Sequence, residues 1–143
     1  MSRSRESTLI FFDIDYFKQV NDRFGHDIGD RLLVAFSDTL RKNFSNQGII
    51  SRFGGDEFVV LTEMDKTERV TEALEKCMRE VHSIELNGRD KDTDGEGFLI
   101  SFSAGAARYP LDAGNLPDLK KCADKALYES KEKGRNGYTW FAN

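Results

Sequence analysis

Ile49-Ile50-Ser51-Arg52-Phe53-Gly54-Gly55-Asp56-Glu57-Phe58-Val59-Val60-Leu61 sets two apolar runs on either side of a glycine pair, with two acids at the turn. The composition of both flanks predicts strands, and the glycines predict a tight hairpin between them. Without Cβ atoms, Gly54 and Gly55 also leave room for a ligand to approach the backbone. From composition alone, a plain hairpin decorated with acids explains the segment slightly better, since Gly-Gly turns are common.

On the N-terminal side, Thr8 to Ile14 is a short β-rich run that stops on Asp13 and Asp15, as expected of a buried strand carrying carboxylates at its end. A polar turn is expected around Asn21-Asp22 and Gly25. From Asp27, the residues Leu33, Phe36, Leu40 and Phe44 recur at helical spacing, so an amphipathic helix should run to about 46–48. On the C-terminal side, Val70, Leu74, Cys77 and Val81 mark a helix over 66–82. Phe98, Ile100, Phe102 and Ala104 then alternate with Leu99, Ser101, Ser103 and Gly105, the period of a strand with one buried face. Asn115 should cap a last helix whose apolar stripe is Leu119, Cys122 and Ala126, Gly134 should stop it, and Tyr138 to Phe141 should close the fold as a strand. This order predicts an α/β or α+β sandwich, with helices packed on one sheet.

The 143 residues suit one domain, and 38% hydrophobic content suffices for one core. With 21 basic and 25 acidic residues the formal net charge is −4, which disfavours a general nucleic-acid binder. An RNA-binding sheet would need exposed aromatics and a basic face, and neither is evident. Cys77 and Cys122 lie in helical stretches without ligand spacing and read as buried thiols in a reducing compartment. The longest apolar run, Leu32 to Phe36, is too short to span a bilayer, and Met1 to Thr8 has no signal-peptide core. A cytoplasmic domain without membrane contact is expected.

If Asp13 and Asp56-Glu57 meet at one end of the sheet, they repel: two like charges ~4 Å apart cost about 4 kcal/mol at an effective dielectric near 20. A divalent cation reverses that sign. Hard oxygen donors suit Mg²⁺ or Mn²⁺, which share their coordination with substrate phosphates.

The segments 13–30 (Asp13-Ile14-Asp15-Tyr16-Phe17-Lys18 through Asn21 and Gly25-His26-Asp27 to Asp30), Arg52 to Phe58 and Lys131 to Asn136 together closely resemble the GGDEF family of diguanylate cyclases. The resemblance covers nearly the whole chain and places the domain at 9–143, with 1–8 as an N-terminal extension. It implies a palm-like, ferredoxin-like central antiparallel sheet flanked by helices, and condensation of two GTP into cyclic di-GMP with release of pyrophosphate. It implies that Asp13, the Ile14 carbonyl, Asp56 and Glu57 hold Mg²⁺ or Mn²⁺, two ions per GTP, with Asp56 also helping to deprotonate the attacking 3′-hydroxyl. Asn21 and Asp30 match the residues that read guanine, where a carboxylate can accept from N1–H and the 2-amino group. Lys18, Lys131 and Arg135 match phosphate contacts, Lys18 counting among the catalytic residues with Asp56 and Glu57. Phe17, Gly54 and Gly55 complete the GTP site; for Tyr16 and Phe17 a base platform and core packing both fit. Because each 3′-oxygen attacks the other nucleotide, a second copy of the domain is implied as partner, with a sensory or dimerising domain outside these residues. The alternative is a catalytically silent, GTP-binding regulatory module of the same fold.

The chain departs from the family pattern twice. The family's Arg-x-x-Asp product-inhibition motif falls on Ser45-Asn46-Gln47-Gly48, so no primary inhibition site is expected, and nothing in Met1 to Thr8 resembles the Asp-x-Leu-Thr-Gly-Leu-x-Asn-Arg opening. Asp90-Lys91-Asp92-Thr93-Asp94-Gly95 imitates a calcium loop, but Ser101 at its twelfth position cannot supply the bidentate carboxylate, so a solvated loop is expected. His26 is expected to hydrogen-bond its own loop, and His82 to offset a helix dipole.

Overall fold

A computed structural model describes residues 6–44, 48–64, 66–86 and 99–142. The expectations for Ser45-Asn46-Gln47, for Asp90–Gly95 and for Phe98 lie outside the described residues.

Among the described residues, five strands, β1 (Ser7–Ile14), β2 (Gly48–Gly54), β3 (Glu57–Thr62), β4 (Phe102–Tyr109) and β5 (Gly137–Trp140), form one sheet in the order β2-β3-β1-β4-β5. The first four pair antiparallel as a ferredoxin-like core, and β5 adds in parallel to β4. The helices are α1 (Phe17–Phe24), α2 (His26–Phe44), α3 (Thr67–His82) and α4 (Leu116–Glu132). The α+β class inferred from the chain holds, in a sheet that is mixed rather than wholly antiparallel.

The even positions of β1, Ile10, Phe12 and Ile14, enter a core shared with Phe36, Leu40 and Phe44 of α2 and Val70, Leu74 and Cys77 of α3. At its centre the Phe36 ring meets Phe12, Phe58 and Phe102 edge-on, with centroids 5.0–6.0 Å apart. Leu9 on the opposite face joins Ala107 and α4's Leu119 and Ala123 in a smaller cluster. There β4 and α4 touch through backbone: a Cβ on Gly105 would stand 2.1 Å from the Leu127 nitrogen and 2.5 Å from the Ala123 carbonyl oxygen.

Two segments differ from expectation. The Asn21-Asp22 stretch lies in α1 rather than in a turn: Tyr16 takes a left-handed conformation at the N-cap, Val20 is the buried residue, and only Gly25, with φ +96°, breaks the chain before α2. The strand expected from residue 98 runs instead over Phe102–Tyr109 and is buried on both faces through Ala107, because small Ser103, Gly105 and Ala107 let α4 lie close. Asn115 caps α4 as expected, its side chain accepting from the Asp118 N–H at 2.9 Å. Cys77 is buried, but Cys122 is only half-buried.

Candidate active site

Asp13 is the penultimate residue of β1 and lies directly across from Glu57 on β3 and Ser103 on β4. Its side chain is 13% exposed and is bridged by the Lys131 ammonium from the last turn of α4. Asp56 stands in the β2–β3 turn, where its carbonyl accepts from the Ile14 N–H at 3.2 Å, tying the turn to the end of β1. Burial, a hydrogen bond with Asp13 and the charge of Asp13 push the Asp56 carboxyl up from its ordinary 3.8 to about 6. The anticipated crowding of carboxylates is therefore real between these two. Glu57 is exposed, and among the described residues no three His, Cys, Asp or Glu side chains are arranged to hold a metal ion.

The turn is built for this placement. Gly55 has φ +41°, and a Cβ on Gly54 or Gly55 would meet nothing within 4 Å, so their open side faces free space. Arg52 holds the turn from beneath, its guanidinium donating twice to the Gly55 carbonyl at 2.8 and 3.0 Å. That clamp was not anticipated, although an arginine three residues before a carbonyl in a glycine turn is a readable signal.

Asn21 and Asp30 sit on consecutive helices, α1 and α2. A Cβ on Gly29 would stand 1.8 Å from the Asn21 side-chain oxygen, so the glycine makes room for that amide. Phe17 packs partly into the main core. Asp30 is exposed, as is Lys18, which pairs with Asp22 at 3.3 Å. Tyr16 is 53% exposed beneath the Arg135 guanidinium, 5.1 Å from its ring centre, so core packing does not account for it. His26 is exposed at the start of α2, while His82 in the last turn of α3 bonds the Asn136 side-chain oxygen at 2.8 Å.

The residue sequence reasoning passed over is Asp15. Only 3% exposed, its carboxylate accepts from Ser101 Oγ at 2.6 Å, Ser103 Oγ at 2.7 Å and the Asn136 N–H at 2.9 Å. Beside it, Tyr16, Arg135 and Asn136 all have positive φ, a conformation costing on the order of 1 kcal/mol for non-glycine residues.

The family model for the GGDEF domain of diguanylate cyclases matches residues 1–137. The chain belongs to the GGDEF domain family. It is 37% identical over 137 residues to the bifunctional diguanylate cyclase/cyclic di-GMP phosphodiesterase MucR of Pseudomonas aeruginosa, covering 96% of this chain and 19% of that protein. To the probable diguanylate cyclase DgcC of Escherichia coli it is 33% identical, covering 93% of this chain and 34% of the relative. The active GGEEF domain of a diguanylate cyclase from Vibrio cholerae superposes with a TM-score of 0.84 at 26% identity, over 97% of this chain and 85% of that one. The chain thus spans about a fifth to a third of these two curated relatives. No helix among the described residues is long and apolar enough to cross a membrane.

Proposed function

We propose that this GGDEF domain is a diguanylate cyclase, which joins two GTP into cyclic di-GMP and releases two pyrophosphates when two copies meet. The observation that carries this reading is the Asp13–Asp56 contact at the end of β1, with the Lys131 ammonium on Asp13. Two carboxylates forced together, one already drawing a cation, are a donor set that fits Mg²⁺ or Mn²⁺. Asp13, Asp56 and Glu57, with the Ile14 carbonyl, would hold the metal, which when bound supplies positive charge against the phosphates.

Asp56, whose carboxyl in the metal-free chain is raised to about 6 by burial and by Asp13, helps take the proton of the attacking 3′-hydroxyl. Asn21 and Asp30 bond the guanine edge, the amide being held in place by the cleft that Gly29 leaves. Lys18, Lys131 and Arg135 take the phosphates, and Phe17, Gly54 and Gly55 border the nucleotide. Each copy brings one GTP, and the two-fold product requires an isologous encounter of two sites. Sensory or dimerising segments lie in the remainder of a longer cytoplasmic protein.

One observation favours a second reading, a silent GTP-binding module: Glu57 stands exposed, and no three acids converge among the described residues. Incubating the chain at high concentration with GTP and Mg²⁺ separates the two. Cyclic di-GMP and pyrophosphate should accumulate, and Asp13→Asn or Asp56→Ala should cut the rate by about 10³-fold, the loss expected for a group acting on developing charge. GTP binding and self-association without product would leave the silent module; full turnover by Asp56→Ala would remove Asp56 from the chemistry.

A further inference from the structure

We propose that Asp15 is the positioning residue of the site: its buried carboxylate holds the α4–β5 loop in the conformation that aims Arg135 at the nucleotide phosphates. The proposal rests on the reading of Arg135 as a phosphate contact and extends it to a residue that itself touches no substrate.

Asp15 joins three separate parts of the chain. Its N–H donates to the Ser101 carbonyl at 2.9 Å, while its carboxylate gathers Ser101, Ser103 and the Asn136 N–H. Among the described residues, the non-glycine positions with positive φ are Tyr16, Arg135 and Asn136, and all three lie in the two segments that this carboxylate ties together. Tyr16 follows Asp15 in sequence, Asn136 is bonded to it, and Arg135 precedes Asn136 and lies over the Tyr16 ring. Backbone in that region persists only where its surroundings over-determine it. The loop is fixed at its start by the Arg135 N–H on the Ser130 carbonyl at 2.9 Å, and at its end by Asp15 together with the His82 bond to the Asn136 side chain. Of these anchors, Asp15 alone directly follows the strand that carries Asp13. It therefore fixes how the Arg135 loop sits relative to Asp13.

Asp15→Ala removes the acceptor of all three bonds, whereas Asp15→Asn would keep them, its amide oxygen in the Oδ2 place accepting from Ser101 and the Asn136 N–H and its amide nitrogen donating to Ser103. The test is therefore a double-mutant cycle with Asp15→Ala on cyclic di-GMP formation, paired with calorimetric titration of inorganic pyrophosphate with Mg²⁺. Asp15→Ala should lower kcat/KM and pyrophosphate affinity about tenfold in the wild-type background, yet less than about threefold in an Arg135→Ala background, because the arginine it acts through is already gone. Equal losses in both backgrounds would show a general structural role and overturn the proposal. If Asp15→Ala does not fold, Ser103→Ala removes a single donor and the same cycle is run with it, non-additivity again being required. Should the wild-type chain bind neither GTP nor pyrophosphate, the proposed function fails. The positioning role is then decided by the amide–α-proton coupling of Arg135, which must lose its left-handed value in the Asp15 variant and overturns the proposal if it does not.

Discussion

The two faces of the sheet are built on opposite plans. One is thick, with Phe12, Phe36, Phe44, Phe58 and Phe102 filling the space beneath α2 and α3. The other is thin, with α4 resting almost directly on the backbone of β4 at Gly105. A thick apolar layer gains stability in proportion to buried area and tolerates some repacking. A contact between backbones fixes a distance instead. Lys131 rides on α4, so the thin face sets the height from which the lysine reaches Asp13. Stability resides chiefly on one side and alignment on the other.

Mutations can break that division. Phe36→Ala should show the largest loss of stability, about 3–5 kcal/mol in denaturant unfolding, with turnover per folded molecule nearly unchanged. A proportionate fall in turnover would mean that the thick face also aligns the site. Gly105→Ala should also destabilise, by roughly 1–3 kcal/mol, because the added methyl would overlap backbone that cannot retreat far. Its activity should drop by about ten- to a hundredfold beyond the folded fraction, since a displacement near 1 Å suffices for that.

The smallest effect is a pH dependence at the acidic end. In the folded chain Asp56 keeps its proton up to about pH 6, whereas unfolded it loses it near 3.8. Between those values the folded state binds more protons, so stability falls as pH rises, and the loss is complete above about pH 6. In metal-free buffer, the melting temperature of Asp56→Asn should therefore gain on that of the wild type between pH 4 and 6.5. A constant difference across that range would show that burial and Asp13 do not raise the Asp56 carboxyl.

Periodicity and punctuation made most of the fold readable: the glycine hairpin, the long helices and the Asn115 cap are all local signals. Phe17–Phe24 was misread because it is short, polar and buries only Val20, so its helix depends on packing against α2 rather than on its own pattern. The double burial of β4 was hidden because alternation of Phe102 and Ala104 with Ser103 and Gly105 looks the same whether the small-residue face meets water or a helix. At the site, Asp13, Asp56 and Lys131 were named from motifs and are brought together. Glu57, Lys18 and Asp30 were named as well, and they stand exposed in the chain by itself. Asp15 was visible only as an acid at a strand end, since its partners are 86, 88 and 121 residues away.

Strand β2 lies at the edge of the sheet and leaves Ile49 and Phe53 largely in solvent, a surface on which a second molecule could add a strand of its own. The register shift between Arg52 and Gly54 interrupts that template just before the turn. If two copies meet by this end as proposed, the irregularity would keep the encounter from hardening into a continuous ladder. A lapse in hydrogen-bond regularity would then serve as protection against permanent adhesion.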